Sequence, residues 1–88
     1  MKTIADIKRK MTIGSIWHTM WKCRTQLKDI GRREVSANQS NSFGFKNPVT
    51  GATSWCDWPK KSEVEFNSDR SFTIKHGDIE LTYTLITE

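Results

Sequence analysis

Apolar residues at the start of the chain recur at the spacing of a helix. They are Ile4, Ile7 and Met11, and basic residues occupy most of the remaining arc. Thr3, followed three residues later by Asp6, matches a variant of the capping box that begins helices. The pattern predicts one short amphipathic helix over residues 3–11, ended before Gly14.

The hydrophobic period shortens to about two residues after Gly14. A strand over residues 15–24 would place the odd-numbered side chains on one face: Trp17, Thr19, Trp21 and Cys23. A helix over residues 17–27 is the alternative. Aromatic and β-branched side chains favour the strand.

Short alternating runs separated by turn residues fill the rest of the chain. Lys28–Arg32 contains a glycine and is predicted as a turn before a second strand over residues 33–39. The polar run 38–42 indicates a bend or a β-bulge. Asn47–Gly51 is the clearest turn, because its proline presets φ and its glycine accepts a positive φ.

That turn should close a hairpin between strands at 43–45 and 54–58. Two later turns lie at 67–70 and 76–78, and the final strand covers residues 79–86. The chain is therefore expected to contain mostly short, sequentially connected strands.

These elements predict an α+β fold that is mainly β. A short N-terminal helix would pack on a curled antiparallel sheet of about five to seven strands, a small partly open barrel. The inward strand positions give the predicted core: Trp21, Val35, Phe43, Phe45, Phe72, Ile74, Leu81 and Tyr83. With 88 residues, the chain is expected to be a single domain, 1–88, because a second core could not be built.

The composition describes a polar surface around a thin core, with 35% hydrophobic and 27% charged residues. No apolar run reaches the roughly 18 residues of a membrane span. An acid and two lysines interrupt the start of the chain, where a secretory signal is apolar. We therefore expect a cytoplasmic protein without membrane contact. Ten of the fourteen Lys and Arg precede Asn47 and seven of the ten acids follow it, so a basic end could attract a polyanion or an acidic protein patch.

No spacing in the sequence is typical of a metal site or a catalytic group. Cys23, Cys56, His18 and His76 have the stoichiometry of a zinc site, but they lack paired spacing. On a strand, His18 and Cys23 would point to opposite faces. We expect two free thiols and no metal. The absence of phosphate-loop and nucleophile motifs predicts a non-enzymatic protein without a cofactor.

Tryptophan is unusually frequent, with four residues in 88. Trp55 and Trp58 have opposite parity along a strand, so one of the two is expected to be partly exposed unless the strand bulges at Asp57. An exposed Trp can anchor a protein interface or stack on a nucleic-acid base. The candidate binding residues combine this segment with charged residues: Trp55, Trp58, Asp57, Arg32, Arg33, Lys60 and Lys61.

Several runs carry a resemblance to a known group of proteins: Gly31–Val35, Gln39–Phe43, Ser54–Lys60 and Leu81–Tyr83. In these runs the chain resembles small uncharacterised proteins encoded by phages and mobile elements of Gram-positive bacteria. The resemblance covers most of the length and assigns no site residue. It implies an accessory protein that acts by binding, as inhibitors of host CRISPR or restriction nucleases do.

Two functions are consistent with these features. In the favoured one, a Trp of residues 55–58 anchors a contact with a host protein, such as a nucleic-acid-processing complex, and Arg32 and Arg33 attract it. In the alternative, the protein binds nucleic acid through stacking aromatics and its basic half: Lys8, Arg9, Lys10, Lys22, Arg24, Arg32 and Arg33. Protein contact is favoured because the acidic half would lie near any bound polyanion and no nucleic-acid motif is recognised.

Overall fold

One short helix and seven strands make up the chain in the computed structural model, which describes residues 1–88. The helix α1 is Ile4–Lys10. The strands are β1 (Ile16–Cys23), β2 (Gln26–Asn38), β3 (Ser42–Lys46), β4 (Thr53–Asp57), β5 (Val64–Ser68), β6 (Ser71–His76) and β7 (Ile79–Thr87). A 3₁₀ turn, Lys61–Glu63, precedes β5. The predicted α+β, mainly β class is confirmed.

The seven strands form one antiparallel sheet in the order β4-β3-β2-β1-β7-β6-β5. β4 and β5 are its edges, so the sheet is not closed into a barrel. It is strongly curled, as the stacking of Phe45 on β3 with Tyr83 on β7 shows, with ring centroids 5.7 Å apart. Three strand spacings would keep these positions roughly 14 Å apart in a flat sheet. The concave face of the sheet therefore holds the core.

Helix α1 begins with the predicted capping box. The Thr3 hydroxyl accepts from the Asp6 backbone N–H at 3.2 Å, and the Asp6 carboxylate accepts from the Thr3 N–H at 3.1 Å and the Lys2 N–H at 2.8 Å. The bond from the Lys2 N–H contributes most, and together these bonds hold the pKa of Asp6 below its usual 3.8. Ile7 and Met11 are fully buried, which confirms the predicted apolar face.

The buried core joins this helix to the concave face of the sheet. Its members are Ile7, Met11, Trp17, Val35, Phe43, Phe45, Phe72, Ile74, Tyr83 and Leu85. The prediction that Trp21 belongs to the core is wrong. Trp21 is only half-buried, because it lies four residues nearer the end of β1 than Trp17, where β1 and β2 extend beyond the core. Leu81 is partly buried and packs against the core.

The predicted turn at Lys28–Arg32 is also wrong. The chain reverses at residues 24–25, where Arg24 has a φ of 56°, and β2 then runs through the predicted turn. Gly31, with a φ of 95°, lies at a register shift against β1 that leaves Ile30 without a cross-strand partner. The glycine therefore marks a β-bulge within a long strand.

The remaining local predictions agree with the structure. Residues 15–24 form a strand, and the turn at 47–51 joins β3 to β4, with the Asn47 N–H donating to the Ala52 carbonyl at 2.7 Å. The polar run 38–42 contains the bend between β2 and β3. The basic and acidic halves interleave, because β1 pairs with both β2 and β7. The structure contains no helix with the length and apolarity that crossing a membrane requires.

Candidate functional site

The most exposed aromatic side chain of the protein is that of Trp55, on the convex face of the edge strand β4. It is 54% exposed and lies opposite Gly44 of β3. Above Gly44, the hydroxyls of Ser36 on β2 and Thr53 on β4 are hydrogen-bonded at 2.9 Å. A Cβ atom at Gly44 would overlap Cγ2 of Thr53, so a side chain here would force Thr53 to move and disturb its bond to Ser36. Trp55 therefore stands beside a tightly packed patch of short side chains.

Two exposed basic residues and two exposed acids, Glu34 on β2 and Asp57 on β4, share the convex face with Trp55. Lys46 lies at the end of β3, and Arg32 lies on β2 beyond the region covered by β3. Arg33, the next residue, lies on the concave side opposite the buried Trp17. The structure therefore separates the predicted pair, and only Arg32 lies on the side of Trp55.

Trp58 is held by three contacts just beyond the end of β4. Its ring packs on Phe43 with centroids 4.6 Å apart, and its indole N–H donates to the Gln39 carbonyl at 2.7 Å. The Lys8 ammonium lies 5.5 Å from the ring centroid. Trp58 is half-buried and fastened to the core. Of the two tryptophans, Trp55 is thus the one free to contact a partner.

The concave side of the sheet opens as a cleft of about 540 Å³, between the end of β4 and the opposing strands β6 and β7. Its lining residues are Cys56, Asp57, Trp58, Pro59, Lys60, Glu63, Ile74, His76, Leu81 and Tyr83. The structure brings together three predicted binding residues here, Asp57, Trp58 and Lys60. Lys61 is exposed on the 3₁₀ turn and does not line the cleft.

Tyr83 and Cys56 supply neutral polar groups to this cleft. Burial raises the pKa of Tyr83 far above its usual 10.0, and the neighbouring Cys56 adds to the effect. Burial likewise raises the pKa of the Cys56 thiol above 9.0, with a further contribution from the Asp57 charge. Both groups are therefore protonated at neutral pH and can donate hydrogen bonds.

The charged groups at the rim of the cleft are partly engaged with each other. His76 Nδ1 lies 3.1 Å from Glu63 Oε2, and the other Glu63 oxygen accepts from the Lys60 backbone N–H at 2.9 Å. These contacts fix Glu63 and leave the Asp57 carboxylate and the Lys60 ammonium facing solvent. The rim therefore carries both signs of charge.

The residues with zinc-site stoichiometry do not meet in the structure. Cys23 lies at the end of β1, and His18 Nε2 lies 2.8 Å from an oxygen of Asp29. Cys56 and His76 line the cleft. No group of three or more His, Cys, Asp or Glu side chains is placed to hold a metal ion, and both cysteines are free thiols.

Comparison with known proteins gives no match. No protein-family model matches the chain, and neither a curated protein nor a solved structure matches it significantly. Function is therefore inferred from the chemistry of the two surfaces described above.

Proposed function

We propose that this protein is a non-enzymatic binding protein that inhibits or modulates a host protein by direct contact. Its setting would be the host-cell cytoplasm, with the protein serving as an accessory of a phage or mobile element and a CRISPR or restriction nuclease as an example target. The observation that carries the proposal is the exposed Trp55 on the convex face of an edge strand. A large apolar side chain held on a rigid strand is the usual anchor of a protein interface.

The surroundings of Trp55 support a protein partner that presents charges of both signs, because the exposed acids Glu34 and Asp57 share the convex face with Lys46 and Arg32. Lys46 and Arg32 lie on the same face, and the patch of Ser36 and Thr53 offers hydroxyl groups whose mutual hydrogen bond holds them in place. Rim charges of this kind speed association with a partner of complementary charge more than they prolong the complex. Trp55 would supply most of the binding energy.

Direct binding of nucleic acid is less well supported, because the basic residues are dispersed over the molecule. Lys8 and its neighbours lie on α1, whereas Lys22 and Arg24 lie at the far end of β1. β1 is eight residues long, so its two ends are roughly 25 Å apart. Arg32 and Arg33 point to opposite sides of β2. A continuous basic track with exposed stacking aromatics, which single-stranded nucleic acid needs, is not formed.

The test is affinity capture from a Gram-positive bacterial lysate, with and without nuclease treatment. Wild-type protein is compared with Trp55→Ala and with Leu27→Ala, which removes a 67% exposed side chain at the start of β2. We expect a protein that survives nuclease treatment and is captured by wild type and Leu27→Ala but not by Trp55→Ala. Capture that disappears after nuclease treatment, with salt-sensitive binding of purified DNA or RNA, would replace the proposal with the nucleic-acid function.

A further inference from the structure

The Tyr83 hydroxyl has no hydrogen-bond partner within the protein, although the residue is only 3% exposed. No fully buried side-chain oxygen or nitrogen lacks a partner, so this hydroxyl must reach the open space of the cleft. Buried tyrosine hydroxyls normally find a partner. A hydroxyl that reaches this space without a partner in the protein is available to donate to an acceptor that enters the cleft.

Packing fixes the position of that donor oxygen. The Tyr83 ring stacks on Phe45 at 5.7 Å and on Phe72 at 5.1 Å, and Phe43 meets it edge-on at 6.2 Å. The ring therefore has little freedom to move within the core. A donor held in this way loses little conformational entropy when an acceptor arrives, which favours binding.

The charges around the cleft define the acceptor. The neutral hydroxyl of Tyr83 and the thiol of Cys56 present donors. Glu63 is held by His76 and by the Lys60 backbone N–H, and the other two rim charges, Asp57 and Lys60, are of opposite sign, so the rim favours neither an anion nor a cation. A charged group placed against the apolar wall would also lose its hydration. Ile74 and Leu81 add aliphatic surface. This combination suits an uncharged molecule with an apolar body and one carbonyl oxygen.

We propose that the cleft between the end of β4 and strands β6 and β7 binds a small neutral carbonyl compound, whose oxygen accepts a hydrogen bond from the Tyr83 hydroxyl. The apolar body of the ligand would lie against Ile74, Leu81 and the Trp58 ring. The volume of about 540 Å³ is within the usual range for small-molecule sites. This site is separate from Trp55, which lies on the opposite face of the sheet.

The proposal is tested by titrating the isotope-labelled protein with matched probes and following amide and indole signals by NMR. Acetophenone has the carbonyl, ethylbenzene lacks it, and benzoate carries a negative charge. Acetophenone should shift the signals of Ile74, Leu81 and the Trp58 indole, and leave the Trp55 indole unchanged. We expect it to bind about fivefold more tightly than ethylbenzene, which is the contribution of one net hydrogen bond, and benzoate to bind least.

Tyr83→Phe removes the hydroxyl and keeps the stacked ring, so the variant should fold. It should lose the preference for acetophenone and retain the affinity for ethylbenzene. The proposal is wrong if acetophenone causes no saturable shifts in the cleft, or if Tyr83→Phe binds it as tightly as wild type. Loss of Trp55-dependent capture with this binding intact would refute only the proposed function.

Discussion

Trp55 and Trp58 show how neighbouring residues of one type come to lie in different environments. Strand parity correctly predicts that the two differ, and it cannot say which one is exposed. Which tryptophan is exposed depends on the chain beyond β4, where Trp58 packs on Phe43 and its indole N–H donates to the Gln39 carbonyl. Both partners lie more than a dozen residues away in sequence, so no local pattern contains this information.

A side chain at Gly44 should destabilise the fold through its overlap with Thr53. The hydroxyl bond between Ser36 and Thr53 holds the Thr53 methyl group directly above it, so Gly44→Ala forces an overlap. We expect a loss of about 1–3 kcal/mol in the free energy of unfolding, measured by denaturant titration. Combining it with Thr53→Ser, which removes the methyl and keeps the hydroxyl, should restore much of that loss. An additive double variant would contradict this explanation.

Stability should fall at alkaline pH because folding raises the pKa values of Tyr83 and Cys56. The unfolded chain releases these protons near the ordinary values of 9.0 and 10.0, while the folded chain retains them. The stabilisation is therefore fully present below about pH 9 and is lost as the pH rises above it. Denaturant titrations between about pH 7 and 10.5 should show a shallower decline for Tyr83→Phe than for wild type. Parallel curves would show that the Tyr83 pKa is not raised.

At the scale of elements, α1 could be predicted almost completely and the first hairpin could not. The capping box and the apolar spacing of Ile4, Ile7 and Met11 are local signals, and both appear in the structure. The β1–β2 turn uses Arg24 at a positive φ, whereas the predicted turn glycine, Gly31, lies at a bulge seven residues later. Glycine supplies a positive φ in turns and in bulges alike, so its presence alone cannot distinguish them.

The attachment of α1 to the sheet depends on a residue with no sequence signal. The Asn38 side-chain amide donates to the Lys8 carbonyl at 2.9 Å and to the Met11 carbonyl at 2.8 Å, which satisfies the end of the helix. Asn38→Ala should lower the free energy of unfolding by about 1–3 kcal/mol and speed amide exchange in α1. Gln39→Ala is the control, since its exposed side chain makes no such bond while its carbonyl still receives the Trp58 indole. Equal effects of both substitutions would contradict the assigned role.

At the scale of the whole molecule, the fold class follows from the sequence and the cleft does not. Alternation and turn residues identify the strands, and inward parity correctly assigns Tyr83 to the core. The curl that brings Phe45 across to Tyr83 is set by bulges and long-range packing. The space left between β4 and β6–β7 is a consequence of that curl, so a residue predicted as core becomes the wall of a cleft.

The proposed contact should also depend on the distribution of charge over the two faces. Replacing Lys46 and Arg32 on the convex face with Gln should slow association with the captured partner by about three- to tenfold and flatten its dependence on salt. Arg33→Gln, on the concave side, changes the same kind of charge in the same strand and should have a much smaller effect. Equal slowing by Arg33→Gln would mean that net charge, rather than the convex face, attracts the partner. Association rates measured at several salt concentrations decide between these outcomes.

The most direct test of the central claim is the affinity of Trp55→Ala for the captured partner, measured by binding kinetics beside Leu27→Ala. An interface anchored by Trp55 should weaken by thirty- to a thousandfold, mainly through faster dissociation, which corresponds to about 2–4 kcal/mol. Leu27→Ala should stay within about threefold of wild type, because Leu27 lies roughly 26 Å along β2 from the part that pairs with β3. A Trp55→Ala affinity equal to that of wild type would contradict the account.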